Sequence, residues 1–264
     1  MGILNVTPDS FAERGALLDP PRAADAALAM EAAGADIIDV GGESTRPGAA
    51  AVSEDEEASR VIPVVRELVK TLRVPVSVDT TKAGIARATL AEGAAMINDV
   101  SGLRYDPALA GVAADGHAPL VLMHMRGRPS TMYEHAHYEH LTGEIAAELR
   151  QSVDVALAAG LPREQLIVDP GVGFAKRAAD SYGVFARIHE LADALDLPIL
   201  VGPSRKSFMR EALGDRPAPE RDWGTAAAVT AAVLAGAHIV RVHAVAEMAQ
   251  VVSVAEQIRS AWTG

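Results

Sequence analysis

The sequence predicts a closed parallel (β/α)8 barrel, a TIM barrel, formed as a single domain over residues 1–264. Three observations predict it. The chain has 264 residues, 49% of them hydrophobic, which suits one barrel of about 250 residues. Eight short apolar runs alternate with Ala-rich helical stretches along the whole length, as repeated βα units do. A helix-exit pattern also recurs three times, each time with a polar residue at the same offset. An open doubly wound sheet is the alternative arrangement of such units.

The expected strands are Gly2–Val6, Asp36–Val40, Pro75–Val78, Ala95–Asn98, Leu120–His124, Leu166–Asp169, Ile199–Val201 and His238–His243. The second is entered through Ala33-Gly34-Ala35 and closes on Asp39. The fourth is entered through Glu92-Gly93-Ala94 and closes on Asn98, and the eighth through Ala235-Gly236-Ala237, reaching Arg241. Glycine suits the left-handed position just past a helix end. Between the fifth strand and its helix, Arg126–His140 reads as a long loop rich in His, Arg and Tyr. Gly214–Arg221, with two prolines, reads as the loop after the seventh strand. No linker or shift of composition divides the chain.

The formal net charge of −11 argues against a nucleic-acid partner or an anionic membrane surface. It leaves room for an anionic substrate, which a few placed Lys and Arg residues can hold. With no cysteine there is no disulfide framework and no thiolate nucleophile. No apolar run reaches the roughly 18 to 20 residues of a membrane span. The start of the chain has no basic segment leading into an apolar core. A cytoplasmic protein is expected.

Polar residues gather where the strands end: Asn5, Asp39, Asp79, Asn98, His124, Asp169, Ser204 to Lys206, Arg241 and His243. In this fold, that end of the barrel carries the active site. Any one of these residues could be satisfying loop backbone. As a set they require partners, because charges on a barrel rim are desolvated. Asp79, Asn98 and Asp169 offer acceptors and an amide able to read the edge of a flat, donor-rich heterocycle. Arg241 and His243 lie two apart and face the same side of a strand. They make a small cationic site suited to phosphate.

Seven segments bring in a family. They are Met1-Gly-Ile-Leu-Asn-Val-Thr-Pro-Asp-Ser-Phe11, Gly41-Gly-Glu-Ser-Thr-Arg-Pro-Gly48, Ser77-Val-Asp-Thr-Thr-Lys82, Ile97-Asn-Asp-Val-Ser-Gly102, Asp169-Pro-Gly-Val-Gly-Phe-Ala-Lys176, Ser204-Arg-Lys206 and Arg241-Val-His243. In this order they resemble the signatures of the dihydropteroate synthase family over nearly the whole chain. The resemblance implies condensation of a dihydropterin diphosphate with 4-aminobenzoate, giving dihydropteroate and pyrophosphate. It implies that Asp79, Asn98, Asp169 and Lys206 bind the pterin, that Met123 is a substrate-binding residue, and that Asn5 holds Mg2+ against the diphosphate. Arg241 and His243 would take the diphosphate. Thr45, Arg46 and Pro47, with Asp9 and Phe11, would close two loops over the site, and Ser204, Lys206 and Phe174 would frame the aminobenzoate. A homodimer built through barrel helices is implied as well. Phe11, Pro47, Ser204 and Lys206 match the ordinary family pattern, so sulfonamide sensitivity is expected.

The implied chemistry needs no Ser-His-Asp arrangement. Ring electrons can stabilise the methylene cation, and the arylamine is already neutral near pH 7. The enzyme has to position two substrates and neutralise a leaving group.

Departures from the family are few. Members usually carry a short segment before the first strand, and this chain opens on that strand. Ser181 stands where many have Asn, and Ala244 where many have Asp. Two rival functions share the pterin pocket. A methyltransferase that binds methyltetrahydrofolate would not need the Ser-Thr-Arg-Pro-Gly loop, Ser-Arg-Lys or Arg-Val-His. A catalytically inactive pterin-binding protein should have lost Asn5, Asp9 or Arg46.

Several residues read better as scaffold than as chemistry. Glu43 is expected to orient its own loop, and Asp99 to bond the loop that follows it. Arg205 suits an ion pair, Asp39 and His124 are weaker candidates for ligand contact, and Met30 and Met248 belong to helix core. His135, His137 and His140 have no strong metal-ligand spacing.

Overall fold

The computed structural model describes residues 1–7, 18–46 and 48–263. Among them, eight parallel strands follow one another: β1 (Gly2–Asn5), β2 (Ile38–Gly41), β3 (Val76–Asp79), β4 (Met96–Asp99), β5 (Leu120–Met123), β6 (Leu166–Asp169), β7 (Leu200–Val201) and β8 (Ile239–Val240). Strands β1 to β6 pair in sequence order, and β7 pairs with β8. Single bridges close the ring, Val168 with Ile199 and Gly2 with Val242. The backbone bonds Val168 N–H to Pro198 O (2.9 Å) and Ile3 N–H to Val242 O (2.9 Å) complete the closure. The molecule is therefore a closed (β/α)8 barrel, not an open sheet.

The helices pack outside the strands. They are α1 (Pro20–Ala32), α2 (Glu54–Thr71), α3 (Ala83–Ala91), α4 (Ala108–Asp115), α5 (Leu141–Ala158), α6 (Ala178–Ala186), α7 (Ile188–Leu195), α8 (Arg210–Leu213), α9 (Asp222–Leu234) and α10 (Val245–Thr263). Two helices follow β6 and two follow β7. Helix α2 shows why such segments are helical. Ser53 caps it by accepting from Glu56 N (3.2 Å), and Glu54, Asp55, Glu56 and Glu57 fill its first turn, where the helix dipole favours negative charge. Val61, Val64, Val65 and Leu68 form its buried stripe, at helical spacing. The three repeated helix exits place Gly34, Gly93 and Gly236 at φ +99°, +103° and +99°, a conformation that glycine adopts without a Cβ clash.

Alternation along the strands separates floor from rim. Met1, Met96, Val121, Ile167 and Leu200, with Ile37 and Ile239, form one apolar cluster. Two residues further along five of these strands stand Asp39, Asn98, Met123, Asp169 and Arg241. Side chains two apart share a face, so an apolar plug supports a mostly polar mouth.

The strands are mostly those read from sequence, shifted by a residue or two at their ends. The eighth is the shortest relative to expectation: His238–His243 contracts to Ile239–Val240. Past Val240 the backbone divides its bonds. Arg241 N donates to Val201 O (3.0 Å) and Val242 N to Met1 O (3.0 Å), while His243 N turns to Ser204 Oγ (3.1 Å). Gly214–Arg221, expected to be entirely loop, contains a 3-10 turn at Ala218–Arg221. No helix among the described residues is long and apolar enough to cross a membrane.

Candidate active site

At the mouth of the barrel, Arg241 joins two strands that it does not neighbour in sequence. Its Nε donates to Asp39 Oδ2 (2.6 Å) and its Nη2 to Asp79 Oδ2 (2.8 Å). Asn98 Nδ2 donates to the same Asp39 oxygen at 3.0 Å. The ends of β2, β3, β4 and β8 are thereby locked together through side chains. Burial pushes the Asp79 carboxyl up to about 7 against the pull of Arg241, and the neighbouring Asp39 adds to the rise. Charge-assisted bonds to a buried guanidinium fix its plane. They leave its other N–H groups as donors.

His243 sits between Ser204 and Asn5. Its Nδ1 lies 2.8 Å from Ser204 Oγ, and its Nε2 lies 3.4 Å from Asn5 Nδ2. Burial holds its pKa down to about 3, helped by Arg205, Arg241 and Arg46. The imidazole is therefore neutral at pH 7. This corrects the cationic Arg241–His243 pair expected from sequence: only Arg241 carries charge. The amide contact makes Nε2 an acceptor and leaves Nδ1–H to face Ser204.

Asp169 ends β6 and is 5% exposed. One of its oxygens accepts Gly171 N at 2.7 Å; the other has no donor among the described residues. Burial raises its pKa, while Lys206 and the Gly171 N–H pull the other way. Lys206 Nζ donates to Val172 O (2.6 Å) and lies 4.2 Å from the centroid of the Phe174 ring, within cation–π range. Burial lowers the Lys206 ammonium to about 8 although Asp169 holds it up. Met123, Val100, Met125, Met132 and Phe174 make an apolar wall beside this point. The close fit depends on Gly171: a Cβ there would stand 2.0 Å from His124 O.

The loop after β2 carries half-buried Thr45 and exposed Arg46. Its base is tied down by Arg60 Nη1 donating to Gly42 O (2.8 Å). Glu43 accepts Val52 N (3.2 Å) and pairs with Lys82, so it does orient its own loop. Asp9, Phe11 and Pro47 lie outside the described residues. Thus Asn5, Asp79, Asn98, Met123, Asp169, Phe174, Ser204, Lys206, Arg241 and His243 all come to the carboxyl end of the ring or the loops above it.

Other expectations resolve by contact. Asp99 accepts from Ser101 N (2.8 Å), Ser101 Oγ (2.7 Å) and Leu103 N (2.6 Å). Arg205 forms a two-point pair with Asp222 (2.7 and 2.8 Å), while its own φ is +59°. Asp39 proves central to the mouth. Sequence reading also passed over Lys176, a fully buried cation. The only hint was a lone charge closing the glycine-rich run Gly171–Lys176.

The arrangement can bind a flat polar ring at the β3, β4 and β6 ends and an anion at the β8 end. The described residues hold no group of three or more His, Asp or Glu able to ligate a metal by themselves.

Comparison with known proteins gives the same family and fold. A family model described as pterin binding enzyme matches residues 1–243. A dihydropteroate synthase of Synechocystis is 48% identical over 259 residues, covering 98% of this chain and 89% of the relative. The Yersinia pestis dihydropteroate synthase, solved with a sulfonamide drug, superposes with a TM-score of 0.94 at 42% identity, covering 98% of this chain and 94% of that one. The Xanthomonas albilineans dihydropteroate synthase, solved with 4-aminobenzoic acid, superposes at 0.90 and 40% identity, covering 98% and 92%.

Proposed function

The chain belongs to the pterin-binding enzyme family, and on that premise we propose that it is a dihydropteroate synthase. It condenses 6-hydroxymethyl-7,8-dihydropterin diphosphate with 4-aminobenzoate and releases pyrophosphate. The observation that carries this reading is the meeting of Asp79, Asn98 and Asp169 with Arg241, His243 and Ser204 in one barrel mouth.

The Asp169 carboxylate takes the amino and amide N–H groups of the pterin edge, with Asn98 and Asp79 beside it and Lys206 against the ring. Each charge-assisted bond contributes roughly 1.5–3 kcal/mol. The bond that breaks joins the exocyclic methylene carbon to a diphosphate oxygen, and its electron pair leaves with that oxygen. The pterin ring stabilises the cation left behind. The aminobenzoate nitrogen then bonds to the carbon and loses a proton. Arg241 supplies charge to the departing diphosphate, and Ser204 and neutral His243 supply hydrogen bonds. Positioning and charge stabilisation carry the rate.

Mg2+ fits this site as a shared ligand. Asn5 Nδ2 faces His243, and its amide oxygen has no donor among the described residues, so a hard oxygen remains available. Substrate oxygens and water would complete the shell, and the bound ion would neutralise the leaving diphosphate.

A homodimer is proposed as well. Val254, Ile258 and Trp262, at successive turns of one face of α10, are 61%, 40% and 68% exposed, and Trp223 on α9 is 88% exposed. An apolar face of this kind suits a second copy, and sedimentation of the full chain distinguishes dimer from monomer. The cytoplasm is the proposed compartment, because a diphosphate ester does not cross a membrane unaided.

The test follows pyrophosphate release from both substrates with Mg2+. Release that requires aminobenzoate, and that falls about 100-fold or more in Asp169→Ala, supports the assignment. Tight pterin binding without condensation overturns it. A sulfonamide should compete with aminobenzoate in the same assay, and failure to inhibit would refute the expected sensitivity.

A further inference from the structure

Behind the β5 and β6 ends lies a charged chain that the condensation does not use. Lys176 is 1% exposed. Its ammonium meets three acceptors, His124 Nδ1 at 2.8 Å and the carbonyls of Gly171 and Phe174 at 3.2 Å each. An ammonium only donates, so His124 Nδ1 accepts and its Nε2 carries the proton. That Nε2 lies 3.3 Å from Glu148 Oε2, within ion-pair distance but outside hydrogen-bond geometry. Glu148 is held in turn by Arg104 Nη2 (2.8 Å) and Arg126 Nε (2.8 Å). The chain runs from two arginines at the barrel exterior to the backbone of the loop after β6.

The other side of that loop meets the proposed aminobenzoate subsite. Val172 O receives Lys206 Nζ, and the Phe174 ring lies against the same ammonium. Gly171, Gly173 and Ala175 have φ values of +66°, +78° and +47°. The two glycines take that region freely, but Ala175 does not, so the loop is not held by backbone preference alone. Its neighbours hold it: Lys176 from within, and Tyr138 through a hydroxyl bond to Ala175 O (2.9 Å). Burial lowers the Lys176 ammonium to about 7 and the His124 imidazole to about 3. Desolvation of this kind works against folding, and an apolar side chain of similar length would serve stability alone at least as well.

We propose that Lys176 is a positioning residue: backed by His124 and Glu148, it sets the Gly171–Phe174 backbone and so places Phe174 and Lys206 against 4-aminobenzoate. This rests on the dihydropteroate synthase reading. Neither Lys176 nor His124 touches substrate. They act through two carbonyls, and a displacement of about 1 Å at such a point can reduce rate by up to 100-fold.

The experiment compares the wild-type chain with Lys176→Met and His124→Phe, measuring KM for each substrate and thermal stability. Wild-type condensation tests the underlying reading, and its absence removes both reading and proposal. With an active wild type, Lys176→Met should raise KM for aminobenzoate about tenfold or more and KM for the pterin diphosphate, whose ring Lys206 also meets, by a clearly smaller factor. His124→Phe should show the same split more weakly, because it frees one of the three bonds. Folded variants with both KM values unchanged, or raised equally, overturn the proposal and leave the dihydropteroate synthase reading standing. Unfolding of both variants also overturns it, since that assigns the chain to stability.

Discussion

Arg241 and Asp39, 202 residues apart in sequence, meet at 2.6 Å across the barrel mouth. Asp39 is fully buried, and the oxygen that takes Arg241 also takes Asn98. A proposed pterin group and a proposed diphosphate group are thus aligned by one carboxylate. Asp39→Asn keeps the shape and removes the charge. Its amide must either face the guanidinium with N–H groups or bury them where Asp39 Oδ1 has no partner among the described residues. Breaking a buried pair costs about 3–5 kcal/mol, and Arg241 retains Asp79, so the lower end is expected. Urea denaturation should show a loss of about 3 kcal/mol, with kcat/KM for the pterin diphosphate falling about tenfold or more. A loss under about 1 kcal/mol would show that Asp79 alone anchors Arg241.

The neutral state of His243 has a consequence in acid. An unfolded histidine titrates near 6.5, whereas burial and the surrounding arginines hold His243 to about 3. Between those values the unfolded chain binds a proton that the folded chain refuses. Stability is therefore complete above about 6.5 and is lost as pH falls toward 3. His243→Gln lacks this term, though His124, also held near 3, keeps its own. Urea midpoints at pH 7.5 and 4.5 should fall further for wild type than for His243→Gln. Equal falls would place a proton on folded His243.

The barrel and most of its mouth were legible because strand periodicity writes them directly. Ile37/Asp39, Met96/Asn98, Ile167/Asp169 and Ile239/Arg241 repeat an apolar floor residue and a polar rim residue two positions later. Partner choice was not legible. Whether Arg241 faces an anion or Asp39 depends on how β2 and β8 approach around the closed ring. The charge on His243 depends on burial that its own neighbours in sequence do not reveal. Lys176 was missed for a related reason: its three acceptors are two carbonyls of its own loop and a histidine 52 residues away. Backbone acceptors leave no sequence pattern.

Gly171 should tolerate no side chain. A Cβ would stand 2.0 Å from His124 O, and φ is +66°. The obstacle is the backbone just past β5, which cannot rotate away as a side chain would. Gly171→Ala should destabilise the fold by about 2–4 kcal/mol, through left-handed strain together with overpacking. In the fraction that folds, the loop must move off β5 and carry Phe174 with it. Denaturant titration reads the first effect and KM for aminobenzoate the second. Wild-type values for both would mean that the β5–β6 contact is looser than 2.0 Å implies.

Lys82 holds the other loop at the mouth. It pairs with Glu43, at the base of the Thr45–Arg46 loop, and with Glu57 of α2, whose side chain is 1% exposed. Burial works against the Lys82 ammonium, but its hydrogen bonds to these two carboxylates raise it on balance. Removing the ammonium in Lys82→Met leaves two carboxylates facing each other, one of them buried. That should cost about 3–5 kcal/mol, most of it from the stranded Glu57 charge. Adding Glu57→Gln removes that charge, so Lys82→Met/Glu57→Gln should be more stable than Lys82→Met alone by about 1–2 kcal/mol. Loop placement should not recover with it, because Glu43 still lacks its cation. The double variant should therefore regain part of its denaturation midpoint while kcat/KM stays low. Recovery of both together would show that Glu57, not the Lys82–Glu43 link, sets the position of Thr45 and Arg46.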